Sequence, residues 1–132
     1  MKMIHMTCPD HPEATLEGYL LDCDIAYGQN MKRPAVLVLP GGGYLYCSHR
    51  EGEPVALRYA AAGFHAFVLR YSTRWDAAGF SPLAEASWAI GYIRENAEEW
   101  NIDPDCLAVC GFSAGGHLAL SSGLLAENKP NA

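Results

Sequence analysis

Short apolar runs alternate along the chain with longer segments whose apolar residues recur at helical spacing. Residues 35–39 are apolar throughout and lie between Pro34 and Pro40, which is typical of a strand buried on both faces of a sheet covered by helices. Residues 65–69 and 107–110 are two further runs of strand length, apolar apart from the first residue of the former. These three segments predict the central strands of the fold.

Two helices are predicted between these strands. The first begins near Glu53, with a proline in its first turn, and ends at Gly63. The second begins at Ser81 and extends to about Trp100. Its apolar residues keep helical spacing: Leu83, Ala86, Ile90, Ile93 and Ala97. Strands separated by helices of this size pair in parallel through right-handed crossovers, so the pattern predicts an α/β fold, a mostly parallel sheet with helices on both faces.

The N-terminal part of the chain has a weaker pattern. We expect residues 1–12 to be irregular, and residues 14–24 to form an outer strand with one solvent-facing side. His5, Cys8 and His11 are potential metal ligands within the irregular segment. A zinc site needs a fourth ligand, and this segment has no further histidine or cysteine. We therefore expect no metal and no cofactor.

Composition narrows the classes of function. The chain has 132 residues, enough for one domain, and a formal net charge of -6 from 9 basic and 15 acidic residues. The absence of a Lys/Arg cluster argues against nucleic-acid and membrane-surface partners. No apolar run is long enough to span a bilayer, and we expect no signal peptide. Five cysteines without framework spacing favour reduced thiols and a cytoplasmic location.

A glycine-rich loop follows the first central strand. Gly41, Gly42 and Gly43 are consecutive, and such a run is costly in chain entropy unless something approaches the backbone closely. A dinucleotide-binding loop would require a further glycine where the chain has Tyr46, and no lysine–serine/threonine pair typical of a phosphate loop is present. Two interpretations remain: a tight structural turn, or a loop whose backbone N–H groups bind a developing oxyanion.

The third central strand leads into a Gly-x-Ser-x-Gly pentamer. Gly111, Ser113 and Gly115 occupy its fixed positions, and the residues after it favour a helix. A pentamer of this kind at a strand-to-helix junction is the signature of a nucleophile elbow, in which a strained turn lifts the serine clear of the sheet. The glycines are needed because the turn brings them close to neighbouring backbone. The pentamer therefore predicts Ser113 as a nucleophile.

Taken together, these motifs resemble the α/β-hydrolase superfamily, in particular an esterase/lipase group similar to acetyl-xylan-esterase-like carbohydrate esterases. Four segments carry the resemblance: residues 40–44, 50–56, 101–104 and 111–118. The resemblance implies a carboxylic ester hydrolase without a cofactor, which forms an acyl-enzyme on Ser113. Its implied substrate is a small-molecule ester such as an acetylated sugar.

The resemblance also implies roles for the neighbours of the serine. The N–H of Ala114, at the positive end of the elbow helix, would form an oxyanion hole together with Gly42 and Gly43. Tyr44 is an alternative oxyanion donor and a candidate for substrate contact, although core packing has at least an equal claim. His117 is a poor candidate for the base, because the family takes its histidine from a later loop.

The acid and base of this superfamily follow the serine along the chain, and the sequence ends at Ala132 before they would occur. We therefore expect residues 1–132 to be the N-terminal portion of a single α/β-hydrolase domain, truncated after the elbow helix. Such a chain should be inactive alone, because loss of the histidine costs on the order of a millionfold in turnover. Two alternatives stay open: a peptidase of the same fold, and a non-catalytic fragment or pseudo-enzyme that forms a homo-oligomer through its exposed sheet edge.

Overall fold

A computed structural model describes residues 1–25 and 29–126. The strands within these ranges are β1 (Lys2–Cys8), β2 (His11–Leu20), β3 (Asp24–Ile25), β4 (Gln29–Asn30), β5 (Arg33–Leu39), β6 (His65–Arg70) and β7 (Ile102–Gly111). The α-helices are α1 (Glu53–Ala61), α2 (Ser81–Glu95) and α3 (Ala114–Ala126). Residues 127–132, which follow the elbow helix and in which the predicted truncation falls, lie outside the described residues.

Five strands form the main sheet, in the order β1-β2-β6-β5-β7, and β3 pairs with β4 in a small separate sheet. β5 runs parallel to both β6 and β7, whereas β2 runs antiparallel to both β1 and β6. The α/β class is confirmed. The sheet is mixed, and its parallel half carries the glycine loop and the serine pentamer at the ends of β5 and β7.

The N-terminal expectations are wrong in two respects. Residues expected to be irregular form β1, which pairs with β2 over a register from Lys2 opposite Leu20 to Cys8 opposite His11. β2 consequently lies between β1 and β6 and is not an outer strand. The pairing with β2 stabilises β1, and its less exposed residues Ile4, Met6 and Cys8 alternate with exposed ones, as in a strand with one solvent-facing side.

Helices cover both faces of the sheet, as predicted. Successive side chains of a strand point to opposite faces, so each face of β5 belongs to a different cluster of buried residues. One cluster joins the sheet to α1 through Val36, Val38, Ala56, Ala60 and Val68. The other joins it to α2 and α3 through Leu37, Leu39, Phe67, Ala86, Ile93 and Leu118. No helix of the described ranges is both long and apolar enough to cross a bilayer.

The predicted helices are confirmed with one change of boundary. α1 begins at Glu53 as expected, but α2 ends at Glu95 and not near Trp100. The side-chain amide of Asn96 donates a hydrogen bond to the carbonyl of Tyr92 at 2.9 Å, and the chain then turns. Trp100 packs on Phe67 with ring centroids 5.8 Å apart. The apolar residues beyond Glu95 therefore reflect burial within a turn.

A buried histidine should make the stability of the fold depend on pH. His65 is fully buried, its Nδ1 accepts a hydrogen bond from the Leu21 N–H at 3.0 Å, and its Nε2 lies 3.3 Å from the Cys23 sulfur. Burial lowers the pKa of His65 below its ordinary value of 6.5. As the pH falls below about 6.5, His65 therefore binds a proton in the unfolded chain before it does so in the folded chain. The free energy of unfolding should therefore fall with falling pH, by up to about 1.4 kcal/mol per pH unit.

The variant His65→Asn should reduce this pH dependence, because its amide oxygen still accepts the Leu21 N–H and does not titrate. Urea denaturation of both proteins between about pH 7 and pH 5 measures the difference. His5→Asn, at an exposed position of β1, is the matched control and should keep the wild-type slope. Equal slopes for wild type and His65→Asn would contradict the interpretation.

Candidate active site

The turn between β7 and α3 holds Ser113 in an unusual conformation. The φ angle of Ser113 is 54°, in the left-handed region that residues with a Cβ rarely adopt. The Gly115 N–H donates to the carbonyl of Phe112 at 2.8 Å, and the Phe112 N–H donates to the carbonyl of Leu39 at 3.1 Å. Ser113 is exposed. The turn thus presents a strained, accessible serine at the end of the parallel half of the sheet.

The two glycines of the pentamer have no room for a side chain. A Cβ on Gly115 would lie 2.0 Å from the carbonyl oxygen of Leu39, and a Cβ on Gly111 would lie 2.2 Å from that of Gly115. Both obstacles are backbone atoms, which cannot rotate aside. The spacing of the pentamer is therefore explained by close contact within the turn and between the turn and β5.

The glycine loop, residues 40–44, packs against the same turn. Gly41 lies close to it, because a Cβ there would lie 2.5 Å from the carbonyl oxygen of Phe112 and 3.1 Å from the Cβ of Ser113. Ala114, one of the three predicted oxyanion donors, is the buried first residue of α3. The other two follow Gly41 directly in the loop.

The end of the glycine loop is a tight turn. Gly43 and Tyr44 have φ angles of 64° and 63°, and the Leu45 N–H donates to the carbonyl of Gly42 at 3.0 Å. Two consecutive positive φ angles are typical of a type I′ turn. Gly42 has a φ angle of 142°, and a Cβ there would lie 2.0 Å from the carbonyl oxygen of Tyr46. Backbone geometry alone therefore requires glycine at position 42.

A serine nucleophile needs a base within hydrogen-bond reach. In the part of the chain that the structure describes, no imidazole is hydrogen-bonded to the Ser113 hydroxyl. His117 lies one turn along α3, and its Nδ1 is instead hydrogen-bonded to the phenol of Tyr44 at 2.8 Å. His11 and His65 have partners of their own. The described residues thus bring together the serine and the glycine loop without a base.

Potential metal ligands meet at a different place, between β2 and α2. One ligand atom from each of His11, Glu13 and Glu85 lies within 4.8 Å of the others. Glu85 is fully buried, and this burial raises the pKa of its carboxyl. The Ser72 N–H donates to its Oε1 at 2.7 Å, and the Nδ1 of His11 lies 3.0 Å from its Oε2. Protein groups therefore already satisfy the carboxylate, which accounts for the cluster as an internal network.

A pocket of about 640 Å³ lies where the glycine loop, the Arg74–Phe80 segment and the beginnings of α2 and α3 meet. Its lining includes Tyr44, Trp75, Phe80, Leu83, His117 and Leu118. Trp75 and Phe80 are 94% and 81% exposed. Sequence reasoning assigned neither aromatic residue to a site; the available signal was their occurrence together in a loop, where large apolar side chains are unusual.

Known proteins with similar sequences are xylan-degrading enzymes and esterases. A family model described as BD-FAE matches residues 21–131. The endo-1,4-beta-xylanase B of Butyrivibrio fibrisolvens is 41% identical over 95 residues, which cover 70% of this chain and 15% of that protein. The acetylxylan esterase of Xylanibacter ruminicola is 32% identical over 92 residues, which cover 69% of this chain and 19% of that protein.

A solved structure shares the fold. It is MGS-M1, an α/β-hydrolase enzyme from a deep-sea metagenome library of the Medee basin, with 47% identity and a TM-score of 0.84. The match covers 89% of this chain and 49% of that chain, so this chain spans about half the length of the solved enzyme. Because the family model covers most of the chain and the structural match extends over the same fold, the chain belongs to the BD-FAE family, a family of ester-hydrolysing α/β hydrolases.

Proposed function

We propose that this chain supplies the nucleophilic part of a carboxylic ester hydrolase, in which Ser113 attacks the ester carbonyl and forms an acyl-enzyme. The observation that carries the proposal is the exposed Ser113 in its left-handed turn, with Gly41 packed directly against it. The esterases among the related proteins favour an ester over a peptide as the substrate.

The surrounding backbone supports this chemistry. As the serine oxygen bonds to the carbonyl carbon, the C=O electron pair moves onto oxygen and needs hydrogen-bond donors. Ala114 begins α3, so its N–H lies at the positive end of the helix dipole. We assign the remaining donors to Gly42 and Gly43 in the adjacent loop. Their effect would be to stabilise the tetrahedral intermediate before the alcohol leaves.

The proton of the Ser113 hydroxyl needs an acceptor. Since no imidazole in the described part of the chain pairs with this hydroxyl, we propose that the accepting histidine and its acid lie outside the described residues. In a serine hydrolase that lacks the base, an oxyanion hole and substrate binding retain about 10³–10⁴-fold acceleration over water. The described residues by themselves would then account for a weak activity only.

We propose a small ester, such as an acetylated sugar, as the substrate. One related protein is an acetylxylan esterase, and the pocket between the end of the glycine loop and α3 has Tyr44, Trp75 and Phe80 in its lining. Aromatic rings offer a large apolar surface with few conformations to lose on binding. Tyr44 would contact the substrate from the glycine-loop side.

Covalent labelling tests the assignment of the nucleophile. A fluorophosphonate probe reacts with activated serines, so the protein encoded by the complete reading frame should be modified on the peptide that contains Ser113. Mass spectrometry of the digested protein locates the label. A label on another serine, or no label at all, would overturn the proposal.

A second candidate function rests on the edge of the sheet. Within the described residues, β7 pairs with β5 on one side only, and residues 104–106 in its middle are exposed. An open edge presents unpaired N–H and C=O groups that invite another strand. A non-catalytic chain would use this edge to form a homo-oligomer. Size-exclusion chromatography with light scattering tests it, since a monodisperse monomer would count against assembly.

Two broader statements stay predictions. We propose that residues 1–132 are the N-terminal portion of a single α/β-hydrolase domain, because the match covers about half of the solved enzyme. We also keep the cytoplasmic location as a prediction, which fits the five free cysteines.

A further inference from the structure

Tyr44 has a backbone conformation that disfavours its residue type. Its φ angle of 63° nearly repeats the 64° of Gly43, the preceding residue of the same turn. Glycine adopts this conformation without steric cost, whereas tyrosine does so at a cost in free energy. Strain of this kind persists only where other contacts of the residue offset it. The side chain of Tyr44 is therefore the feature to explain.

The side chain of Tyr44 connects the glycine loop to the helix that follows the serine. Its hydroxyl is hydrogen-bonded to Nδ1 of His117 at 2.8 Å, and the two rings meet edge to face with centroids 6.1 Å apart. On its other side the ring packs against Tyr71, at a centroid distance of 5.9 Å, and the Tyr71 hydroxyl donates to the carbonyl of Pro40. The loop is thus held at its first residue and at its last.

His117 is in turn tied to the serine. Its backbone N–H donates to the carbonyl of Ser113 at 3.0 Å, so the imidazole belongs to the first turn of α3. The hydrogen bond from Tyr44 to His117 joins residues 73 positions apart in the sequence. It links, through side chains, the two segments that carry the assigned oxyanion donors, since Gly43 precedes Tyr44 and Ala114 directly follows Ser113.

We propose that the Tyr44–His117 hydrogen bond is a positioning element that sets the distance between the glycine loop and the Ser113 turn. This inference rests on the proposed function. Without the bond, the end of the loop loses its side-chain tie to α3, although the Arg74 N–H still donates to the carbonyl of Tyr44 at 2.7 Å. Because donors misplaced by about 1 Å can cost about a hundredfold in rate, the smaller shift that these remaining contacts allow should cost about tenfold. Tyr44 and His117 act here through the backbone donors and do not transfer a proton.

The rate of fluorophosphonate labelling at Ser113 tests the proposal in the protein encoded by the complete reading frame. Tyr44→Phe removes only the hydroxyl, and His117→Ala removes the partner ring. Each should slow labelling at saturating probe by about tenfold, and the double variant should be no slower than either single variant, because all three lack the same bond. His117→Asn should recover most of the rate, since its amide can pair with the phenol near the position of Nδ1.

Two controls separate positioning from a general loss of structure. Tyr46 is an exposed tyrosine two residues after Tyr44, and the variant Tyr46→Phe should be labelled as fast as wild type. Thermal unfolding should show that Tyr44→Phe and His117→Ala stay folded at the labelling temperature. If Tyr44→Phe does not fold, the His117 variants still test the bond, because His117 is an exposed residue of α3.

The possible outcomes distinguish the two proposals. If wild type is labelled at Ser113 and the folded Tyr44→Phe and His117→Ala variants react equally fast, the positioning role is wrong and the serine assignment stands. Additive losses in the double variant, or no recovery in His117→Asn, would also overturn the positioning role. If wild type is not labelled at Ser113, both proposals fail together.

Discussion

Replacement of Ser113 by alanine should abolish ester turnover by the protein encoded by the complete reading frame. The hydroxyl is the only group of the strained turn that can form an ester bond with the acyl group, and loss of the nucleophile in a serine hydrolase lowers turnover on the order of a millionfold. Hydrolysis of p-nitrophenyl acetate measures the change. The residual rate should stay within about 10³–10⁴-fold of the uncatalysed reaction, because the substitution leaves substrate binding and the proposed oxyanion donors in place.

Ser87→Ala is the matched control for this substitution. Ser87 lies within α2, and the same change there should leave turnover unaltered and the fold intact. If Ser113→Ala kept a tenth or more of the wild-type activity, by order of magnitude, the acyl-enzyme on Ser113 would be excluded. Turnover by another surface nucleophile would then be the explanation.

Gly115→Ala should destabilise the fold strongly. The new Cβ would lie 2.0 Å from the carbonyl oxygen of Leu39 and 2.6 Å from that of Pro40. To relieve these contacts, α3 must move away from the end of β5, which breaks the packing that α3 makes with the sheet through Leu118. We expect a loss of about 3 kcal/mol in the free energy of unfolding, at the upper end for an overpacked site. Urea denaturation of the chain measures it.

Gly123→Ala makes the same change on the same helix where a Cβ meets nothing within 4 Å. It should raise the free energy of unfolding by about 1 kcal/mol, because alanine favours the helix over glycine. The two substitutions are therefore expected to have opposite signs. A neutral or stabilising effect of Gly115→Ala would show that the turn does not have the geometry described here.

Local patterns were sufficient for the central part of the fold. The continuous apolar run in β5 predicts a strand buried on both faces, and Leu37 and Val38 indeed belong to the clusters on opposite faces. α1 begins at Glu53, where a proline and an acidic residue mark its first turn. In these segments, local preference and burial favour the same structure, so periodicity alone gives the correct answer.

Local patterns failed where a distant partner stabilises the segment. β1 exists because its backbone pairs with β2 across the Lys2–Leu20 register. Its less exposed residues Ile4, Met6 and Cys8 alternate with exposed ones, a short signal that sequence reasoning missed. α2 was predicted too long because the apolar residues after Glu95 keep helical spacing, although Trp100 packs into the core from a turn. Burial that arises from a turn cannot be distinguished from a helical face by spacing alone.

The sequence by itself determined the chemistry that is available: glycines at positions 41, 111 and 115, a serine between the last two, and a strand before each motif. The order of these residue types predicts a nucleophile and a glycine loop because their backbone requirements are local. Only the tertiary structure decided how the motifs meet. β5 and β7 are parallel neighbours in the sheet, so the two motifs emerge at the same edge, where Gly41 packs on Ser113 and Tyr44 reaches His117. Contacts between residues this far apart depend on strand order and register, which local periodicity does not specify.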